Sequence, residues 1–227
     1  EGYHLWLERT PLIFSILSFV ALAIGGMIQI IPTLLVKENV PTITSVKPYT
    51  PLELEGRDLY IREGCNACHS QMIRPFRDEV VRFNGKNGQY SKAGEFGYDR
   101  PFLWGSKRTG PDLHRQGGKN PSSWHFKHMY NPRSTSAGSI MPRYPWLIAN
   151  KLDRSLTQDK IRFMKNVYDV PYTDAEIDSA NTWANDQAAK IVKDIYNEAP
   201  DIKKALEAEK ARASRGCSPA NTLILAQ

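Results

Sequence analysis

The pentapeptide Cys65-Asn66-Ala67-Cys68-His69 brings two thiols and an imidazole together in one short stretch. C-x-x-C-H is the attachment signature for a c-type haem. Each thiol can add across one haem vinyl group, and the adjacent imidazole then reaches the iron from the same side. Two other chemistries use part of the pattern. C-x-x-C alone can form a redox dithiol or half of a zinc site. Zinc needs two further ligands at suitable spacing, and the only other cysteine is Cys217. The immediate His69 favours haem.

A histidine that ligates a metal needs its other ring nitrogen fixed. Thr109-Gly110-Pro111-Asp112-Leu113 resembles the loop of class I cytochromes c in which a proline carbonyl accepts that N–H, so Pro111 is the candidate acceptor. The opposite axial ligand is a methionine or a histidine. Met72, three residues after His69, projects from the proximal side. Met27 lies in an apolar run, and Met164 sits in the helical pattern TQDKIRFMKNV, where it suits a core. Met129 and Met141 remain. Ser139-Ile140-Met141-Pro142 presents Met141 from a loop stiffened by proline, and Met141 is the favoured ligand. His125 and His128 are its rivals, spaced as neighbours on a helix whose simpler role is packing beside the haem.

The elements that would position these residues are legible. Thr50-Pro51-Leu52-Glu53 is a capping box with proline at the first helical position, and it opens a helix predicted to reach about Glu63, with Gly64 suited to its end. Thr173-Asp174-Ala175-Glu176 is a second capping box. It opens a predicted helix with Ile177, Ala180, Trp183, Ala184, Ala188 and Ile191 near one face. A first helix containing Gly56 and Tyr60, crossed by a last helix with an aromatic, resembles the cytochrome c helix pair.

Upstream, Leu12 to Val36 contains no charged residue. As a helix it would be roughly 37 Å long, against a hydrocarbon core of about 30 Å. Ser18, Gln29, Gly25 and Gly26 suit contact with neighbouring helices. The run is too long for a signal peptide, and no small-x-small site follows it. Its flanks, Glu1, Glu8 and Arg9 before and Lys37 and Glu38 after, leave orientation undecided. The expected organisation is residues 1–11 as a short N-terminus, 12–36 as a transmembrane helix, 37–51 as a proline-stiffened linker, 52–196 as a haem domain and 197–227 as a charged tail. The tail's Cys217 has no motif partner. Three cysteines exclude a disulfide framework. The formal net charge of +6 suggests an anionic partner or surface, but no basic run is long enough for nucleic acid.

Between His69 and the Gly-Pro loop lies an insertion, residues 70–108. It is rich in arginine and aromatics, including Arg74, Arg77, Arg82, Arg100, Arg108, Phe76, Tyr90, Phe102 and Trp104, and it also holds Lys86 and Lys92. That mixture suits a protein interface better than a solvated loop. Trp104 and Arg143 are the candidate donors to the haem propionates.

The segments REGCNACHSQMIRPFRDEVVRF, GEFGYDRPFLWGSKRTGPDLHRQGGK and SIMPRYPWL closely resemble the monohaem cytochrome c subunit, subunit II, of cbb(3)-type cytochrome c oxidases. The likeness runs from about Tyr3 to Tyr196. It implies a mainly α protein: one N-terminal transmembrane helix and a class I cytochrome c-like domain with a long insertion. It implies one covalent haem c, with Cys65, Cys68, His69 and Met141 binding it. It further implies a bacterial inner-membrane protein whose haem domain faces the periplasm. Its role would be that of a non-catalytic subunit. Electrons would enter from a further cytochrome c subunit or a soluble cytochrome c. They would pass towards haem b of a catalytic haem–copper subunit that reduces dioxygen to water and pumps protons. The cytochrome c subunit of a nitric oxide reductase shares the anchor-plus-haem plan. A haem sensor or peroxidase-like protein would instead leave one axial position open.

Overall fold

The computed structural model describes residues 3–36, 41–84, 88–105, 107–204 and 207. Lys86, Cys217 and most of the charged tail lie outside the described residues. Among the described residues all regular structure is helical. The chain divides into two compact units, residues 1–46 with 93–97, and residues 47–92 with 98–227.

The first unit holds α1 (Tyr3–Arg9) and α2 (Pro11–Leu35). Pro11 starts α2 where a missing N–H costs nothing, and Pro32 stands close to its end, with the Val36 N–H donating to the Pro32 carbonyl. The stretch Pro11–Pro32 is long and apolar enough to cross a membrane, and none of it is buried within the chain. Leu12 and Leu22 are about three-quarters exposed. An uncharged helix with apolar side chains outward on all sides needs hydrocarbon around it. Among the described residues nothing crowds Gly25 or Gly26, so both leave backbone open to a neighbouring helix. The 3-10 turn Ala93–Phe96 belongs to this unit, not with the rest of the insertion. There a Cβ on Gly94 would come within 2.5 Å of the Ile43 side chain, which would have to shift to admit it.

The second unit is built on α3 (Pro51–Arg62), α8 (Thr157–Tyr168), α9 (Asp174–Asp178) and α10 (Ala180–Glu198). Both capping boxes form as the sequence predicts: Thr50 with Glu53 and Thr173 with Glu176 exchange side chain–backbone hydrogen bonds. The Thr50 hydroxyl also donates to Gln187, tying the start of α3 to α10. α3 crosses α10 through Leu52, which is fully buried with Ala184 and Ala188. Ala184 and Ala188 of α10 lie in this contact, and Gly56 of α3 is half-buried. Leu54 packs with Ile161, Met164, Val170, Tyr172 and Ile177, so Met164 is core, as expected. The predicted last helix is interrupted. Ser179 leaves helical geometry at φ −91° and ψ 5°, and its hydroxyl donates back to the Ala175 carbonyl. Such back-bonding competes with the helix ladder and bends it.

One buried charge pins α8 to α3. Glu55 is only 3% exposed, and its carboxylate accepts from Thr157 Oγ1 at 2.6 Å and Lys160 Nζ at 2.7 Å. Lys160 also pairs with Asp58.

The insertion is fastened at its neck. The Thr109 and Gly110 N–H groups donate to the Cys68 carbonyl, Leu113 N–H to Ser70, and Gln71 N–H to Leu103. It contains α5 (Arg77–Asn84) and buries Ile73, Phe83 and Leu103. Farther on, Asp99 accepts from Tyr49 Oη and from Arg57 Nε, both in or beside α3.

Lys160→Met should leave the Glu55 carboxylate with its hydroxyl partner alone. A buried charge stripped of its ion partner costs roughly 2–3 kcal/mol. Denaturant unfolding of the variant should register that loss; an unchanged midpoint would show that the pair adds nothing.

Candidate functional site

Gly64 adopts φ 70°, a left-handed conformation that a side chain would strain, and so turns the chain sharply out of α3. The next residues form α4 (Cys65–Cys68), one short turn that places the two cysteines three apart on one side. Cys65 is half-buried, Cys68 is exposed, and the two are not disulfide-bonded. Burial first, then the Glu63 carboxylate, pushes the Cys65 thiol above its ordinary pKa. Redox dithiols need the opposite shift, towards the thiolate. The Tyr60 hydroxyl donates to the His69 carbonyl at 2.7 Å, which gives α3 a direct hold on the backbone of the motif.

His69 Nδ1 lies 2.8 Å from the Pro111 carbonyl oxygen. As the donor in that bond, Nδ1 carries the ring proton, and Nε2 is left as the metal-facing nitrogen. Gly110 lies against the same ring. A Cβ there would stand 2.2 Å from His69 Cε1, so no other residue fits without displacing the imidazole. The two neighbouring residues thus have separate tasks: Gly110 makes room for the ring and Pro111 holds it.

Met141 is half-buried in the loop ahead of α7 (Trp146–Ala149), and its N–H donates to Ser139 Oγ. Two bonds fix that loop. The Tyr144 N–H donates to the Met129 carbonyl at 2.9 Å, and Trp146 Nε1 donates to Glu63 beside the cysteine turn at 2.9 Å. Burial and then the neighbouring Cys65 and Cys68 thiols raise the Tyr144 pKa. Ile140, next to Met141, is 74% exposed and Trp146 is 42% exposed.

The two rival ligands have contacts of their own. His128 stacks on Trp124, and its Nδ1 lies 2.6 Å from Thr135 Oγ1. His125 meets Trp124 edge-on. Burial lowers the pKa of both histidines, and at His128 the nearby His125 and His69 add to the effect. These contacts fit a helix, α6 (Ser122–Tyr130), packed beside the site. Met129 contributes its backbone. Met72 belongs to the proximal side, where its N–H donates to Asp112.

Of the two candidate propionate donors, Trp104 stacks on Phe102 with ring centroids 4.4 Å apart. Arg143 lies over the Tyr130 ring, with Nε towards the Tyr130 carbonyl. Sequence reasoning missed Glu63, Trp146 and Tyr144 as the ties between the two halves of the site, and it missed the room that Gly110 leaves for the ring. It also missed Asp112, which adjoins Pro111. Asp112 is 1% exposed and accepts from Ser70 Oγ. A carboxylate one residue from the proline was its only available signal.

The donor set fits haem. Two open thiols, a histidine with one nitrogen fixed and the other available, and exposed apolar side chains beside Met141 are complementary to an apolar macrocycle with an iron at its centre. A helical domain with this constellation, joined to one apolar anchor, defines a membrane-anchored c-type cytochrome. The family model for cytochrome c oxidase, mono-heme subunit/FixO, matches residues 4–216, and the chain belongs to that family, the monohaem cytochrome c subunit of cbb(3)-type oxidases. The nitric oxide reductase reading is thereby set aside. A search of curated proteins finds no match.

Gly110→Ala should drive the imidazole off the Pro111 carbonyl while leaving both thiols untouched. The haem-loaded variant, once reduced, should bind carbon monoxide. A variant that stays inert to carbon monoxide would show that the ring tolerates the added methyl group.

Proposed function

We propose that this chain is the electron-transfer subunit of a respiratory haem–copper oxidase and carries out no bond chemistry of its own. Cys65 and Cys68 would hold one haem c covalently, His69 and Met141 would ligate its iron, and Pro111 fixes the His69 ring. The observation that carries this reading is the Pro111 carbonyl on His69 Nδ1, directly after two open thiols. A haem bound there supplies a one-electron couple, with its potential raised by a methionine ligand. The chain's residues do the rest. The Pro111 bond keeps the ring in one tautomer and one orientation. The ties from Tyr144 to Met129 and from Trp146 to Glu63 hold the Met141 loop over the site. With His69 and Met141 holding the iron, a bound haem would be closed to dioxygen, and oxygen reduction would belong to the partner that holds haem b and copper. Proton pumping belongs there as well. The donor is a further cytochrome c subunit or a soluble cytochrome c.

Covalent haem attachment takes place outside the bacterial cytoplasmic membrane. Residues 1–11 are therefore cytoplasmic, 12–36 span the inner membrane, 37–51 link, and the haem domain of 52–196 is periplasmic with the 197–227 tail. The span packs on the catalytic subunit through Gly25, Gly26, Ser18 and Gln29, and the insertion docks on that subunit's periplasmic face. Trp104 and Arg143 donate to the haem propionates.

Purification in mild detergent should yield c-type haem together with b-type haem and copper. In that complex Met141→Ala should open the reduced c-type iron to carbon monoxide and abolish the methionine–iron absorption band. An unchanged band would pass the distal role to Met129. Carbon monoxide binding by the unsubstituted c-type haem would favour an open-site sensor or peroxidase-like protein.

A further inference from the structure

The insertion contains an ion network that ends at the proximal loop. Asp112 Oδ2 accepts from Ser70 Oγ at 2.6 Å and from the Met72 N–H at 2.9 Å, and its Oδ1 accepts from the His114 N–H at 2.9 Å. Arg108 Nε lies 3.5 Å from the same Oδ2 and also bonds Ser70 Oγ. The Arg108 guanidinium continues outward, to the Met72 carbonyl at 2.7 Å and to Glu79 at 2.9 Å, with the Phe83 ring 5.0 Å away. Glu79 in turn accepts from the Arg74 side chain and from its N–H. Burial pushes the Glu79 carboxyl up, but the bonds from Arg108 and Arg74 outweigh it and hold the group at about 2. Ser70 follows the iron-facing histidine directly, and Asp112 follows Pro111 directly. The carboxylate of the residue that follows Pro111 therefore bonds Ser70, the residue that follows His69, and the N–H groups of Met72 and His114.

We propose that Asp112 is a positioning residue for the haem iron: it clamps the two backbones that carry His69 and Pro111 and, through Arg108, makes the insertion part of the iron's proximal support. This rests on the haem reading above. A fixed negative charge on the proximal side favours the oxidised, more positive iron. A Pro111 carbonyl held on Nδ1 strengthens the imidazole as a donor, which favours the same state. Both effects hold the potential down, so loss of Asp112 raises it. Buried pairs of this kind are costly to break from one side only.

The test is redox titration of the c-type haem in the purified complex, read at its own absorption band, for the unsubstituted chain and for Asp112→Asn, Asp112→Ala and Ser70→Ala. Asp112→Ala should raise the midpoint by about 59 mV or more, a tenfold change for a one-electron couple. Ser70→Ala removes one donor and should give a smaller shift of the same sign. Asp112→Asn keeps an acceptor for one backbone N–H and loses the charge; it too should shift upward. If Asp112→Ala fails to accumulate with haem, the Asn variant decides the matter. A midpoint unchanged in Asp112→Asn, or shifted downward, overturns the proposal and leaves Asp112 as a fold-stabilising group. If the unsubstituted chain carries no haem after denaturing electrophoresis, the haem reading itself has failed.

Discussion

The site depends on one bond, between the His69 ring and the Pro111 carbonyl, 2.8 Å from Nδ1 to oxygen. An imidazole on a flexible side chain serves poorly as a permanent iron ligand unless its second nitrogen is held. Much of the second unit exists to keep the two ends of that bond in register. The hydroxyl of Tyr60 fixes the backbone of His69 from α3. The capping box at Thr50 and the Glu55–Lys160 pair fix α3 itself. On the other side, the N–H groups of Thr109 and Gly110 both donate to Cys68, so the proline loop is laced to the cysteine turn by its own backbone. Gly110 is then the only residue type that leaves room for the ring.

The insertion takes on a different meaning in this light. A long excursion between a ligand and the loop that orients it would ordinarily loosen both. Here it leaves and returns through a neck closed by backbone hydrogen bonds, and it sends Arg108 back to bond Ser70, Met72 and Glu79. Its short segment 93–97 groups with residues 1–46 instead. The same stretch of sequence is therefore fastened beside His69 and still leaves Phe76 and Tyr90 exposed.

Much of the site was legible because it is local. C-x-x-C-H, two capping boxes and an uncharged apolar run are each continuous in sequence and are read from residue type and spacing, while the Gly-Pro loop is read from its resemblance to class I cytochromes c. The core face of the last helix was also legible, since Ile177, Ala180, Ala184 and Ala188 are buried as the period requires. The break at Ser179 was not, because a serine that bonds back to Ala175 looks like any other helical serine in sequence. The ionic network was hidden for another reason. Asp112 and Ser70, Arg108 and Glu79, and Trp146 and Glu63 pair across long stretches of chain, and charges have no periodicity to announce a distant partner. An arginine-rich insertion reads as a surface until its partners are known.

The central claim is that Cys65 and Cys68 carry one haem, with His69 held beside it. The most direct measurement is mass spectrometry of the chain isolated from its membrane and digested under denaturing conditions. The account predicts that the peptide containing Cys65, Cys68 and His69 carries the mass of one haem, attached through both thiols. The same peptide recovered with free thiols, and all haem extractable by acid acetone, would contradict it.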